Sequence, residues 1–286
     1  MPWCDGLALD GVAVFISLLL LGILVLTHPE WLSKHLSPLE RRPFAETQNR
    51  YLSLHRPSQW NLSAGALGLL IILGLAALVG IGYIFGLAVQ ELSESQSAPD
   101  RWIQTFLVAH REQWLTTMMQ AATLLGDSSF VIGVVCIVGI VWSYFAWSLQ
   151  PLALLVVTYL GARVIESTVK ELSHRPRPPM EQAVDHFTHF AFPSGHAIYA
   201  ITIYGMIAAL LILVSRQRQR RLAIWVVATL IVGLVGCSRV YLGAHWLTDV
   251  VGGYILGAAW LIILLVTTQR IDVAKTTGSQ HSIIRR

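Results

Sequence analysis

Three short polar stretches interrupt a hydrophobic sequence in its last third, and their residue types suit chemistry on a phosphate group. The stretches are Lys170 to Pro178 (KELSHRPRP), Phe192 to His196 (FPSGH) and Ser238 to Asp249 (SRVYLGAHWLTD). Lysine and arginine side chains neutralise phosphate oxygens, while a histidine can attack phosphorus or protonate a leaving oxygen. The residues suited to these tasks are Lys170, Arg177, His196, Arg239, His245 and Asp249. Together they predict a phosphoryl-transfer site.

His245 and Asp249 are four residues apart at the start of an apolar segment, so a helix there would place them on one face. A carboxylate in that position can accept a hydrogen bond from one imidazole nitrogen and leave the other as nucleophile or base. An isolated pair of this kind would be explained by an aspartate at a helix start and an interfacial histidine. The neighbouring cations favour the catalytic interpretation.

The sequence Pro193-Ser194-Gly195-His196 comes just before an apolar segment, at a predicted helix start. Unpaired N–H groups and the positive end of the helix dipole attract anions there. Gly195 allows close approach of the backbone to a ligand, and Ser194 can either cap the helix or donate to a phosphate oxygen. We therefore predict a phosphate cradle, with an ordinary helix cap as the alternative.

Lys170, Arg177 and Arg239 lie near predicted helix ends, where each one alone would be explained as an interfacial anchor. Their proximity to the histidines indicates phosphate binding instead. No set of carboxylates, histidines or cysteines has the spacing of a di-metal phosphatase. We therefore predict catalysis without a metal ion or cofactor.

The composition indicates an integral membrane protein. The 286 residues are 55% hydrophobic and 13% charged, with a mean hydropathy of +0.61. The net charge of +4 does not indicate nucleic-acid binding, because the basic residues form short clusters between apolar runs. The bilayer is the predicted partner, and nothing in the sequence indicates an oligomeric state.

The apolar runs predict an all-α, polytopic bundle of transmembrane helices. The first run lacks preceding Lys or Arg and a small-residue cleavage site, so we interpret it as an uncleaved helix rather than a signal peptide. Between the second and third runs, residues 100–120 predict one interfacial amphipathic helix or a surface helix without a special role. The predicted spans are about 7–26, 62–89, 130–147, 150–169, 198–214, 222–236 and 250–267.

Charge predicts the topology of these spans. Residues 215–221 (SRQRQRR) form a dense basic cluster, which the positive-inside rule assigns to the cytoplasm. We assign the polar tail, 268–286, to the same side and expect it to be disordered. Alternation then puts all three polar stretches on the outer face and the basic loop 30–61 inside.

The three polar stretches resemble the signature of the type 2 phosphatidic acid phosphatase (PAP2) superfamily. Lys170 is followed after six residues by Arg177-Pro178, then by Pro193-Ser194-Gly195-His196, and then by Ser238-Arg239, His245 and Asp249 at the family's spacing. The resemblance covers about 62–267 and implies a six-helix membrane core. Residues 1–61 would add an N-terminal transmembrane helix and a basic cytoplasmic loop, and 268–286 a polar cytoplasmic tail.

The resemblance also implies a role for each residue. His245 would form a phosphohistidine, Asp249 would orient it, and His196 would be the general acid. His174 and Arg175 occupy positions that the family leaves variable, so we expect them to contact solvent or lipid headgroups. Lys170, Arg177 and Arg239 would bind the phosphate with Ser194 and the backbone of Gly195.

These inferences predict a membrane phosphatase that acts on a lipid phosphate or pyrophosphate. Candidate substrates are phosphatidic acid, phosphatidylglycerol phosphate and undecaprenyl pyrophosphate. A lipid phosphotransferase would use the same first step, and a non-catalytic transporter of anionic lipids would use the charge without the nucleophile. The compact loops favour a bacterial inner membrane, with the site on its periplasmic or outer face.

Overall fold

A computed structural model describes residues 64–94, 99–146, 148–179, 183–184, 190–215 and 217–283. The predicted first span and the basic loop lie outside the described residues. Helix α6 contains a π-helical turn, Ala200–Tyr204, between two α-helical parts. The helices are α1 (Ala64–Glu94), α2 (Pro99–Ala109), α3 (Gln113–Leu124), α4 (Ser128–Ala146), α5 (Gln150–Ser173), α6 (Gly195–Val214), α7 (Arg218–Tyr241) and α8 (Leu247–Ile283).

Six of these helices are long and apolar enough to cross a membrane: α4, α5, α6, α7, Gly68–Ala88 of α1 and Leu247–Thr268 of α8. They match the six predicted spans of the core, which confirms the polytopic helical fold. Many large apolar side chains of α1, α4 and α7 are exposed on the outside of the bundle. Such surfaces suit contact with lipid chains, because the bilayer replaces water as the surrounding medium.

Helices α5, α6 and α8 form the centre of the bundle, and small residues allow their close packing. Trp260 of α8 is fully buried against Gly161 of α5, where a Cβ atom would lie 2.1 Å from the indole ring. The indole Nε1 donates to the Thr158 carbonyl at 3.1 Å. Gly253 of α8 faces the start of α6 in the same manner, with a hypothetical Cβ 2.8 Å from the Ser194 carbonyl oxygen. These contacts support the helix ends that carry the polar stretches.

Residues 100–120 form two helices rather than the single predicted one. The break lies between α2 and α3, where the Glu112 N–H donates to the Tyr241 hydroxyl at 3.2 Å and Arg111 donates to the Tyr241 carbonyl. A tertiary contact therefore replaces the helical hydrogen bonds at this point. Trp102 and Trp114 are exposed, as expected for an interfacial segment.

The polar segment after Thr267 is helical through Ile283, so our expectation of a disordered tail was wrong for these residues. Helix α8 contains no proline over its 37 residues. A helix that has already formed adds one backbone hydrogen bond for each further residue, so it can continue past the end of the apolar run.

Candidate active site

The three predicted polar stretches meet at one end of the bundle. Arg177, in the segment after α5, donates to the carbonyl oxygen of Ala244 between α7 and α8 at 2.6 Å. The N–H of Ser194, just before α6, donates to the carbonyl oxygen of Asp249 at 3.1 Å. The first contact therefore joins Lys170 to Pro178 with Ser238 to Asp249, and the second joins Phe192 to His196 with the same stretch.

His245 lies between Asp249 and the cations. Its Nδ1 is 3.6 Å from Asp249 Oδ2, slightly beyond hydrogen-bond distance, and its Nε2 is 3.4 Å from Arg177 Nη1. The side chain is only 3% exposed. Burial lowers the pKa of His245 well below its ordinary value, and the positive charges of Arg239, Arg177 and Lys170 lower it further. The imidazole is therefore neutral, with Nε2 directed toward the cations.

Asp249 is held at the first turn of α8. Its Oδ2 accepts a hydrogen bond from the Trp246 N–H at 2.9 Å. Trp246 precedes the first residue of α8, so this contact is the half of a capping box in which an acidic side chain reaches back to the helix start. The carboxylate of Asp249 is fully buried, and its contact with Trp246 holds it against the turn that carries His245.

Ser194 and Gly195 form the start of α6 as the sequence predicted. Ser194 occupies the N-cap position, but its side chain makes no capping hydrogen bond. Its buried Oγ has no hydrogen-bond partner. The hydroxyl is thus available to a ligand. A Cβ at Gly195 would lie 3.1 Å from Glu166 Oε1, so the backbone at Gly195 closely approaches the carboxylate of Glu166.

His196, on the first turn of α6, is partly exposed and packs beside Gly126, where an added Cβ would lie 3.0 Å from the His196 Cβ. It interacts electrostatically with the other members of the site, namely Lys170, Arg177, Arg239 and His245. Asp127, next to Gly126, caps α4 by accepting from the Ser129 N–H at 2.8 Å. The cap fixes the turn that packs against His196.

Each of the three predicted phosphate-binding cations has a polar contact that orients it. Arg239, 4% exposed, donates from Nη1 to Thr123 Oγ1 of α3 at 2.7 Å. Arg177 is bound to the Ala244 carbonyl, and burial lowers the pKa of its guanidinium from the ordinary value. Lys170 contacts Glu166 Oε1. The site therefore concentrates positive charge beside His245.

Sequence reasoning missed Glu166, a buried carboxylate inside the transmembrane helix α5. One oxygen contacts Lys170 and the other contacts Arg163, while the Tyr199 hydroxyl donates to Oε2 at 3.2 Å. The signal was present in the sequence, because Arg163 and Lys170 lie three residues before and four residues after Glu166. A charged residue at this depth is a functional candidate by default.

The expectation that Arg175 contacts solvent or headgroups was wrong, whereas His174 is exposed as expected. Arg175 is 1% exposed and contacts the carboxylates of Asp249 and Asp100. The opposite charges of these two side chains make burial of the guanidinium possible. Asp100 begins the region that we interpreted as an interfacial amphipathic helix or a surface helix without a special role, so that region contributes directly to the site.

Among the side chains that the structure describes, no three His, Cys, Asp or Glu residues form a group suited to a metal ion. Metal-independent catalysis remains a prediction, which a chelator can test.

The fold and site define a helical membrane protein with a cluster of cations and two histidines at one end of its bundle. The PAP2 superfamily model matches residues 151–272. Phosphatidylglycerophosphatase B of Bacillus subtilis is 37% identical over 164 residues, which cover 57% of this chain and 79% of the relative. An undecaprenyl-diphosphatase of Sulfolobus acidocaldarius is 30% identical over 138 residues, covering 48% of this chain and 50% of that protein.

A solved structure, the transmembrane PAP2-type phosphatidylglycerolphosphate phosphatase from Bacillus subtilis, has the same fold. It superposes with a TM-score of 0.59 at 31% identity, over 66% of this chain and 93% of that one. The chain therefore belongs to the PAP2 superfamily. It is a multi-pass membrane hydrolase of the lipid phosphatase type.

Proposed function

We propose that this protein hydrolyses a lipid phosphate monoester or a lipid pyrophosphate through a phosphohistidine on His245, without a metal ion. The orientation of His245 is the main support. Its Nδ1 faces the Asp249 carboxylate, while Nε2 faces the guanidinium of Arg177. The depressed pKa of His245 keeps the attacking nitrogen unprotonated at neutral pH.

In the first step, the Nε2 lone pair of His245 forms a bond to phosphorus while the bond from phosphorus to the lipid-side oxygen breaks. His196 donates its proton to that leaving oxygen. Lys170, Arg177 and Arg239 neutralise the phosphate oxygens, and the Ser194 hydroxyl with the Gly195 N–H donates to them. Catalysis of this kind depends mainly on positioning and on electrostatic stabilisation of the developing charge.

In the second step, His196 accepts a proton from water while the water oxygen forms a bond to phosphorus. The phosphorus–nitrogen bond breaks, and its electrons return to Nε2 of His245. Inorganic phosphate leaves, and both histidines regain their starting protonation states. Asp249 stabilises the positive charge that the imidazole ring carries while it is phosphorylated.

Phosphatidylglycerophosphate is the first substrate to test. Two similarities favour it: the Bacillus relative matched over 79% of its length is a phosphatidylglycerophosphatase B, and the similar solved structure is that of a phosphatidylglycerolphosphate phosphatase. Undecaprenyl pyrophosphate comes next, because of the name of the archaeal relative. We also propose that the site lies on the periplasmic or outer face of a bacterial inner membrane, since the basic residues at the start of α7, Arg218, Arg220 and Arg221, lie at the opposite end of that helix from the site.

The proposal is tested by phosphate release in detergent micelles containing EDTA. Wild-type protein and His245→Ala are compared on phosphatidylglycerophosphate, phosphatidic acid and undecaprenyl pyrophosphate. Release by the wild type that disappears in the variant supports a metal-independent histidine mechanism, and the preferred lipid identifies the substrate. Quenching in alkaline detergent during turnover of a substrate labelled in its phosphate should trap a phosphoenzyme in the wild type only, because the phosphorus–nitrogen bond of phosphohistidine survives base and hydrolyses in acid.

Equal release by His245→Ala would refute the assigned nucleophile. Loss of activity in EDTA, with recovery on adding a divalent cation, would refute metal independence. Formation of a phosphorylated acceptor lipid in place of inorganic phosphate would establish the phosphotransferase alternative.

A further inference from the structure

Arg175 is a buried arginine to which the catalytic scheme above gives no role. It lies in the segment after α5, two residues before Arg177, with only 1% of its surface exposed. Its guanidinium contacts groups far away in the sequence, and the Trp246 ring centroid is 6.0 Å from its Cζ. A buried arginine with such long-range contacts needs a reason, because removing a charge from water is costly.

The guanidinium connects two carboxylates. Nη1 contacts Asp249 Oδ1 and donates to Thr248 Oγ1 at 2.8 Å, while Nη2 donates to Asp100 Oδ2 at 2.9 Å. Asp100, at the start of α2, also accepts from the Thr248 N–H at 3.0 Å. The result is a buried carboxylate–guanidinium–carboxylate bridge between α2, the segment after α5 and the start of α8.

The bridge determines how Asp249 faces His245. The terminal torsion of an aspartate is broad, so a carboxylate held through one oxygen can rotate. Here Arg175 occupies Oδ1 and the Trp246 N–H occupies Oδ2, which fixes the plane of the carboxylate. Oδ2 is the oxygen that lies 3.6 Å from Nδ1 of His245.

We propose that Arg175 is a positioning residue that holds Asp249 toward His245, and that Asp100 balances the charge of Arg175. An isolated pair of Arg175 and Asp249 would be neutral and would cancel the negative field that Asp249 exerts on the imidazole. With Asp100 included, the three side chains carry a net charge of one negative unit. This inference rests on the proposed role of His245 as nucleophile.

The charge balance has a consequence for the pH dependence of turnover. Removing the Asp100 charge makes the surroundings of His245 more positive, which favours the neutral imidazole and moves the acid limb of kcat/KM to lower pH. Removing the Arg175 charge moves that limb to higher pH. The charged or titratable groups that face His245 from the other elements stay unchanged in both variants: Lys170, Arg177, His196, Arg239 and Asp249.

The test uses the full chain in detergent with phosphatidylglycerophosphate. Asp100→Asn, Arg175→Met and Arg175→Lys are compared with the wild type for kcat, KM and the acid limb of kcat/KM. Glu171→Gln is the matched control, because it removes one negative charge from an exposed position of α5. We expect kcat to fall about tenfold in Asp100→Asn and about a hundredfold in Arg175→Met, with KM nearly unchanged.

The two acid limbs should shift in opposite directions, and Arg175→Lys should restore part of kcat with the acid limb of the wild type. Shifts of Asp100→Asn and Arg175→Met in the same direction, or no shift in either of these two variants when its thermal transition is normal, would overturn the inference. If Arg175→Met does not fold, Asp100→Asn and Arg175→Lys still carry the test. Asp100→Asn keeps the guanidinium of Arg175, and Arg175→Lys replaces it by another positively charged group. Turnover that survives in His245→Ala would refute the proposed nucleophile, and this inference would fall with it.

Discussion

Replacing Glu166 by glutamine should tighten the binding of inorganic phosphate while it destabilises the protein. Glu166 is an internal anion bound to Lys170, so it competes with the phosphate for that ammonium group. Glutamine keeps the size of the side chain and removes the charge. The change therefore releases Lys170 for the ligand and removes a repulsion between two anions.

The magnitude follows from the distance between the two anions. A Cβ at Gly195 would lie 3.1 Å from Glu166 Oε1. A phosphate bound to the Gly195 N–H would therefore lie roughly 6 Å from the carboxylate, allowing for an ordinary hydrogen bond. At an effective dielectric constant of about 20, two unit charges at that separation repel by about 3 kcal/mol. Arg163 and Lys170 offset part of this repulsion, so we expect about 1.4 kcal/mol, or tenfold tighter binding.

The stability should change in the opposite direction. The variant leaves Arg163 and Lys170 without their shared carboxylate, and removing one partner of a buried pair typically costs about 3 to 5 kcal/mol. The loss should fall below that range, because the Arg163 side chain is 40% exposed. Phosphate should raise the Tm of the variant more than that of the wild type, since at a given concentration the more tightly bound ligand stabilises the folded state more.

The assay measures competitive inhibition by inorganic phosphate during lipid dephosphorylation, together with thermal unfolding with and without phosphate. Glu166→Asp, which keeps the charge, and Glu171→Gln, which removes a charge from an exposed position on the same helix, are the controls. A folded Glu166→Gln protein with unchanged or weaker phosphate inhibition would refute the competition between Glu166 and the ligand.

Three further predictions concern His245, Gly253 and Ser194. Because folding depresses the pKa of His245, this imidazole is protonated in the unfolded chain at a higher pH than in the folded protein. The stability of the protein should therefore decrease as the pH falls below about 6.5. The decrease in Tm between pH 7.5 and pH 5.5 should be smaller in His245→Ala than in the wild type. Gly253→Ala would place a methyl group 2.8 Å from the Ser194 carbonyl oxygen. Such overpacking should lower the free energy of unfolding by about 1 to 3 kcal/mol and lower kcat. Wild-type activity and Tm in this variant would show that the start of α6 tolerates displacement. Ser194→Ala should raise KM by about tenfold, because the variant loses a hydrogen-bond donor to the phosphate. Its Tm should not fall, since the Ser194 hydroxyl makes no hydrogen bond within the protein. A lower Tm with unchanged KM would make Ser194 a structural residue.

Local features of the sequence predicted much of the fold and the composition of the candidate site. A run of about 20 apolar residues must form a helix in lipid, where the backbone can satisfy its hydrogen bonds only internally. The six predicted spans of the core were therefore correct. The resemblance to the superfamily predicted which polar residues would lie together, and the structure brings Lys170, Arg177, His196, Arg239 and His245 to the same end of the bundle.

Only the tertiary structure decided which groups orient those residues. Arg175 contacts Asp249 and Asp100 across 74 and 75 positions of sequence, and Arg239 contacts Thr123 across 116. No helical period or local spacing relates residues so far apart, and each of them taken alone resembles a surface polar residue. Their burial becomes favourable only when packing brings opposite charges together. The chain thus carries the reacting groups in local patterns, whereas the contacts that orient Asp249 and Arg239 exist only after the helices assemble.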